Sequence, residues 1–289
     1  MFAEIYEWLT TPCPYNARKL GYLREAIAIQ ARYKSHQMRW QTHLDASKAV
    51  IQAALKSPGD KRIAVVLGSG ALYDVPLDAL VRTFERVELI DIVHPKEARQ
   101  IAAAYPNVIV RSEDVSGTSQ SLAAMPCRAT KLPRVGDLPI LAPETDLVVS
   151  VNLLSQLAGI PQAWLKARTK VAEDDQRTFA AEIVRRHIQW LSALKCRVCL
   201  ISDTERHYVD KNGNPLKPWD SLHGTSLPKG GTEWRWDLAP VGESHPDLAI
   251  QTTVQGLSDF NPGAPQGLQN SPSELTHRRN IARCACEAA

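Results

Sequence analysis

Ile63-Ala-Val-Val-Leu-Gly-Ser-Gly70 is the stretch on which the fold of this chain turns. Ile63 to Leu67 reads as a buried strand, and it runs straight into two glycines. Gly68 and Gly70 let the backbone turn sharply and approach a ligand with no Cβ in the way. A helix starting just after them would point its free N–H groups at an anionic group. Downstream, a helix-like segment from Val75 to Phe84 leads to a second strand, Val87–Asp91. Pro95–Ala104 reads as a helix and Val108–Arg111 as a third strand. Ala123–Pro143, rich in proline and polar residues, looks like an irregular insertion, and Asp146–Val151 is a fourth strand. Asp174–Leu194 is a long amphipathic helix with Phe179, Ile183, His187, Trp190 and Leu194 on one face. Arg197–Ile201 makes a fifth strand. Strands alternating with helices predict a parallel sheet covered on both faces. Thr232–Ala239 and Leu248–Val254 are alternating, β-rich runs expected to form an antiparallel hairpin at the sheet's edge.

Upstream, the first sixty residues read as helical, with Leu20, Leu23, Ile27 and Ala31, then Trp40, Leu44, Ser47, Ile51 and Leu55, at helical spacing. Thr11-Pro-Cys-Pro14 breaks a short first helix from longer ones, and Ser57-Pro-Gly-Asp60 ends the block. Beyond Phe260 the chain turns to Gly, Pro, Gln, Asn and Ser, then to a basic run from His277 to Arg283. The expected division is a helical cap over 1–60, a Rossmann-like domain over 61–260 and a C-terminal tail over 261–289.

The 289 residues are 44% hydrophobic and 22% charged, the balance of a globular protein. With 34 Lys and Arg against 31 Asp and Glu, the net charge of +3 does not make nucleic acid the default partner. No apolar stretch approaches the roughly 18 residues of a membrane-spanning helix, and Met1–Thr10 does not read as a secretory signal. A cytoplasmic protein with no membrane partner is expected. Cys196 and Cys199 form a CxxC on a strand, where residues three apart face opposite sides, so no metal site is expected there. Cys284 and Cys286 have no companion ligands.

The chemistry gathers at strand ends. Asp91 lies twenty-one residues after Gly70, at the end of the second strand, where a carboxylate can accept both hydroxyls of a ribose. Asp114 lies just past the third strand, within reach of an adenine edge. Tyr73 stands where the dinucleotide pattern wants a third glycine, and the phosphate-cradling GxxxxGK[ST] pattern is absent. A nucleoside joined to a short zwitterion, as in S-adenosylmethionine, fits better than a diphosphate.

Over about residues 61–257 the sequence resembles the class I S-adenosylmethionine-dependent methyltransferases. Val65-Val-Leu-Gly-Ser-Gly70 looks like the first motif, Leu89-Ile-Asp91 the second and Glu113-Asp-Val115 the third. Asp146-Leu-Val-Val-Ser-Val-Asn-Leu-Leu154 is similar to the fourth, which precedes the acceptor pocket. The resemblance implies a Rossmann-like seven-stranded sheet with helices on both faces and a last strand inserted antiparallel. It also implies S-adenosylmethionine as cofactor, with Gly68, Ser69, Gly70, Asp91, Asp114, Val115 and Asn152 as its contacts. The family usually has an acid two positions before the first glycine, where this chain has Val66, and often a third glycine, where it has Leu72.

Methyl transfer to oxygen or nitrogen needs an aligned acceptor and a group to take its proton. His94, Asn152, Asp203, Glu205 and His207 all follow strands. Asn152 is the best placed against the cofactor's methyl in this fold, and His207 is the expected base. Arg32, His36, Arg39, Trp40 and His43 form a helical stripe that reads either as a lid or as a solvated face anchored by Trp40. Trp234 and Trp236 share a strand face and offer an acceptor wall or simple packing. His187, among apolar neighbours, reads as a core histidine. The expected activity is methyl transfer to a small-molecule acceptor. The alternatives are a nucleotide-binding module without chemistry, a dinucleotide-dependent oxidoreductase and an RNA methyltransferase. A homodimer stays open as the assembly.

Overall fold

The computed structural model describes residues 2–261. The expected tail from residue 262 onward, with the basic run and Cys284 and Cys286, lies outside the described residues. One sheet carries β1 (Ile63–Leu67), β2 (Arg86–Asp91), β3 (Val108–Ser112), β4 (Thr145–Val151), β5 (Arg197–Asp210), β7 (Thr232–Ala239) and β8 (Leu248–Leu257) in the order β3-β2-β1-β4-β5-β8-β7. A short β6 (Trp219–Asp220) pairs with β5 off this path. The first five strands are mutually parallel, and β8 runs antiparallel to β5 and to β7. β8 therefore slots between β5 and β7, so the terminal hairpin supplies an inner strand as well as the edge. This is the seven-stranded order implied by the resemblance, with β6 added. Strand order reverses between β1 and β4, and such switch points open a ligand crevice at the carboxyl ends of the strands.

Alternation along each buried strand builds two apolar layers. Ile63, Val65 and Leu67 face one layer together with Val148, Val198 and Leu200, covered by Phe179, Ile183 and Leu191 of α8 (Glu173–Ala193). Ala64 and Val66 face the other, with Leu89, Val149 and Cys199. Cys196 packs on the first layer and Cys199 in the second, so the CxxC sulfurs part as the strand requires. The remaining helices after β1 are α4 (Leu77–Thr83), α5 (Lys96–Ala103), α6 (Ser119–Ala124) and α7 (Gly159–Arg168). Irregular chain follows α6 up to β4, the insertion expected from residue 123.

The N-terminal block is helical, as its periodicity predicts: α1 (Phe2–Thr10), α2 (Tyr15–Leu20) and α3 (Tyr22–Leu55). α3 leaves helical geometry at His36, with φ −131° and ψ 26°. Its second half is no detachable cap, because Trp40, Leu44, Val50, Ile51 and Ala54 are buried in the same layer as β1 and β4. The change of rhythm at residue 60 is thus a break in sequence and not in packing. Among the described residues no helix is long and apolar enough to cross a membrane.

β5 departs most from expectation. It does not stop at Ile201 but runs to Asp210, held by β8 through pairs from Asp203↔Val254 to Asp210↔Leu248. Its polar second half hides this from a hydrophobicity reading, since cross-strand pairing and not burial sustains it. Asp203, Glu205 and His207, expected in a loop after the strand, lie inside it, with a bulge between Asp203 and Glu205.

His187 of α8 is fully buried, 3.1 Å from Ser150 Oγ through Nε2, and burial lowers its pKa to about 3. The unfolded chain takes up this proton near pH 6.5, and the folded protein does so only near 3. The stabilisation is therefore complete above pH 6.5 and is lost as pH falls through that window. In denaturant titrations between pH 6.5 and 4, His187→Leu should flatten the acid loss of stability by about 1.4 kcal/mol per pH unit. Identical slopes for the two proteins would contradict a buried, neutral imidazole.

Candidate active site

The glycine pair closes β1 for two different reasons. Gly68 has φ +76°, and a Cβ there would lie 2.8 Å from Leu153 Cβ and 2.9 Å from the Val151 carbonyl oxygen. The end of β4, and no ligand, forbids a side chain at that position. Gly70 has φ +45°, and its nearest neighbour to an added Cβ is Asp91 Oδ2 at 3.8 Å. A side chain at Gly70 would therefore project into the crevice. Leu72, standing where the family often has a third glycine, keeps the left-handed backbone that glycine favours, at φ +65°. The helix expected over 75–84 appears as α4, which begins after Pro76, so the turns and bend over 71–74 separate the glycines from its free N–H groups.

Asp91 ties this turn to β2. Its Oδ2 accepts the Gly70 N–H at 2.8 Å, and its Oδ1 accepts the Val93 N–H at 3.4 Å. Burial raises the carboxyl to about 6 despite these amides. A carboxylate offers about four lone-pair sites, so Asp91 keeps acceptor capacity on both oxygens. Ser69 is buried and bonds His94 Nε2 at 3.0 Å, away from any role as a loose hydroxyl. Burial, then the Arg99 charge, lowers His94 to about 4, so it stands neutral as a strut.

Asp114 takes a role the sequence did not suggest. Its Oδ1 accepts Ser116 N–H at 2.8 Å and Ser116 Oγ–H at 2.6 Å, while its Oδ2 accepts Thr118 N–H at 2.9 Å and Ser119 N–H at 2.6 Å. Those donors fill the carboxylate, which anchors the turn into α6 and has nothing left for an adenine amine. Val115 beside it is buried in the core. Tyr22, in the first turn of α3, brings its hydroxyl close to Asp114 and Asp91, and burial followed by the Asp114 charge pushes it above the usual tyrosine range. Tyr33 of α3 stacks on Tyr73 at 3.7 Å between ring centres. α3 thus packs over this end of the sheet, and of two open grooves beside Asp137–Ile140 one is also lined by Arg111, Glu113 and Asp114.

Asn152 sits at the end of β4 with φ +47°, its amide donating to the Ile201 carbonyl at 2.9 Å. Its side chain lies 2.6 Å from Asp74 Oδ2 and 3.1 Å from His43 Nε2, and its Oδ1 is buried with no partner among the described residues. Trp234 Nε1–H donates to His43 Nδ1 at 3.1 Å, and the imidazole lies flat on Trp236 at 3.8 Å. Burial lowers His43 to about 3 and raises the Asp74 carboxyl. An indole can only donate, so His43 Nδ1 is bare and its proton sits on Nε2; two donors then face each other, and the Asn152 amide's hydrogen-bond partner is the Asp74 carboxylate. Asp74 and the contact of His43 with Asn152 escaped the sequence reading, because they join residues more than seventy apart. The basic stripe divides: Trp40 anchors to the Leu238 carbonyl at 3.1 Å, His43 turns inward, and His36 and Arg32 reach Glu243 at 3.2 and 3.9 Å.

His207 is not brought to this centre. It bonds Thr253 Oγ1 at 2.9 Å, and it stands six residues past Ile201, the β5 partner of Val151. At the rise of a strand that is about 20 Å. Among the described residues, no group of His, Cys, Asp and Glu side chains is placed to hold a metal ion.

No family model and no curated protein matches this chain. Among solved structures it is similar to the N-methyltransferase NodS from Bradyrhizobium japonicum WM9, crystallised with S-adenosyl-L-homocysteine. Identity there is 11%, coverage 75% of this chain and 86% of that one, and the TM-score 0.35. The 1,6-didemethyltoxoflavin-N1-methyltransferase of Burkholderia thailandensis is 14% identical over 85% of this chain and 92% of that one, at TM-score 0.39. The 23S rRNA methyltransferase ErmE is 10% identical over 83% and 75%, at 0.30.

The two glycines should respond differently to one methyl group. Gly68→Ala should destabilise the protein by more than the roughly 1–3 kcal/mol of backbone strain alone, since its Cβ meets β4. Gly70→Ala should lose about 1 kcal/mol and keep the fold. Equal losses in denaturant titrations would mean that β4 does not close on Gly68.

Proposed function

We propose that this protein is an S-adenosylmethionine-dependent methyltransferase acting on oxygen or nitrogen of a small-molecule acceptor. The observation that carries the reading is Asp91: a half-buried carboxylate at the end of β2, with spare acceptor capacity on both oxygens, facing the open side of Gly70. Two adjacent ribose hydroxyls supply the donors that such a carboxylate lacks. Gly70 and Tyr22 form the walls around a nucleoside held there. Asp114 fits less well, since its donors are all internal, and the adenine amine must be met by other groups.

When bound, the cofactor supplies an electrophilic methyl group whose bond to sulfur breaks as the acceptor's lone pair takes it. The residues of this chain align the acceptor, exclude water and take a proton. Asn152, held in its left-handed turn and donating through Nδ2 to Asp74, is the aligning residue at the β4 end. Asp74 is the carboxyl nearest to it and, raised by burial, is better placed than His207 to receive the acceptor's proton. The saturated Asp114 and the apolar Val66 favour a second reading, a nucleoside-binding module without chemistry. Conversion of S-adenosylmethionine to S-adenosylhomocysteine with any acceptor separates the two.

Thermal unfolding with S-adenosylmethionine, S-adenosylhomocysteine, NAD and ATP tests the cofactor class. A ligand at 100 times its Kd adds about 2.7 kcal/mol to the folded state, and only the first two should do so. Asp91→Ala should weaken both by about ten- to a hundredfold, from hydrogen bonds to a charged group, while Cys196→Ser leaves them unchanged. Stabilisation by NAD or ATP alone, or equal affinities for wild type and Asp91→Ala, would refute the assignment.

A further inference from the structure

A row of buried polar groups crosses the sheet beside the site just described. Cross-strand register sets Arg206 of β5 opposite Thr252 of β8, and Thr252 opposite Trp236 of β7. Residues directly paired in antiparallel strands share a face with their side chains in contact. The face is the one under α3, because Trp236 stacks on His43 and meets Trp40 edge-on. The bulge between Asp203 and Glu205 returns Asp203 to the side of Arg206, whose Nη2 lies 3.8 Å from Asp203 Oδ2. That separation is an ion pair but not a hydrogen bond.

Asp203 Oδ2, Arg206 Nε, Thr252 Oγ1 and Trp236 Nε1 are all buried with no hydrogen-bond partner among the described residues. Asp203 is 4% exposed and Thr252 0%. Folded proteins satisfy nearly all such atoms, and several orphans in one row ask for a ligand. The chemistry they demand is specific. Arg206 Nε and Trp236 Nε1 can only donate, so they require acceptor oxygens, and the Arg206 charge favours an anion. Asp203 Oδ2 can only accept while ionised, so it requires an N–H or O–H donor. Thr252 serves either.

The row also ends at the proposed reaction centre. Ser155, three residues after Asn152, donates its hydroxyl to Asp203 Oδ1, and Trp236 lies on the imidazole that faces Asn152. Its outer end is open: the Arg206 side chain is 33% exposed, and Trp219, paired with Arg206 across β6, is largely exposed.

We propose that Asp203, Arg206, Thr252 and Trp236 form the acceptor subsite, and that it takes a small carboxylate bearing a hydroxyl or amine. Arg206 and Trp236 hold the carboxylate, and Asp203 reads the donor group. This rests on the methyltransferase reading for the role of the subsite, but not for the binding itself.

The test uses the full chain with and without saturating S-adenosylhomocysteine, and titrates 4-hydroxybenzoate, 3-hydroxybutyrate, benzoate and phenol by calorimetry. At least one hydroxy acid should bind saturably, with benzoate and phenol about tenfold weaker or more. Arg206→Gln should weaken the hydroxy acid about tenfold or more, and Asp203→Asn should abolish the preference over benzoate, both leaving S-adenosylhomocysteine affinity unchanged. Thr252→Val, nearly isosteric, gives the same reading severalfold smaller should either charge variant fail to fold. No saturable binding of either hydroxy acid, or binding untouched by these substitutions, overturns the proposal. Hydroxy-acid binding by a protein that does not bind S-adenosylhomocysteine upholds the subsite and defeats the methyltransferase reading instead.

Discussion

The bond from the Gly70 amide to the Asp91 carboxylate, 2.8 Å long, is the contact around which the active end of the sheet is arranged. It clamps the turn after β1 to the end of β2. The Gly68 amide, bonded to the Ile90 carbonyl at 2.9 Å, holds the same two strands one step earlier. The turn can bend this tightly only because Gly68, Gly70 and, unusually, Leu72 all take positive φ. Burial makes the clamp costly to ionise, which is why the carboxyl titrates near 6. A group held this way gains from each further donor it meets, so the constraint that shapes the turn also leaves a carboxylate able to accept from vicinal hydroxyls.

On the other side of the crevice the long helix α3 fills the core and reaches the candidate site from one face. Trp40, Val50 and Ile51 fill the core layer shared with β1 and β4. Between them, His43 reaches Asn152 and is itself held by Trp234 and Trp236. The tautomer of His43 follows from an indole that can only donate. Asn152 packs against that imidazole and is held through its Nδ2 by Asp74, at a backbone conformation that few non-glycine residues adopt. Strain of this kind persists only where neighbours over-determine it.

Much of this architecture is written locally and so was legible. The five apolar residues before Gly68, the alternation of strands and helices, and the helical spacing around Trp40 and Ile51 each depend on near neighbours in sequence. Of the candidate site, the meeting of Gly70 and Asp91 at the ends of β1 and β2 was legible because a motif marks it. It was not legible where a polar segment is held by long-range pairing, and Asp203 to Asp210 thus looked like a loop. The internal bonds of Asp114 were not legible, because a strand-end carboxylate looks the same in sequence whether it meets a ligand or caps its own turn. Asp74 carried no signal at all, since its partners Asn152 and His43 arrive from distant elements.

A nucleoside is expected against Gly70 and the free lone pairs of Asp91, beneath the first turn of α3. A crystal structure of the protein with S-adenosylhomocysteine tests it most directly. Both ribose hydroxyls should lie on the Asp91 carboxylate and the thioether sulfur should turn toward Asn152, with α3 still packed on the sheet. Adenosine density away from Asp91, or a ribose held by other residues while Asp91 keeps only the amides of Gly70 and Val93, would contradict it.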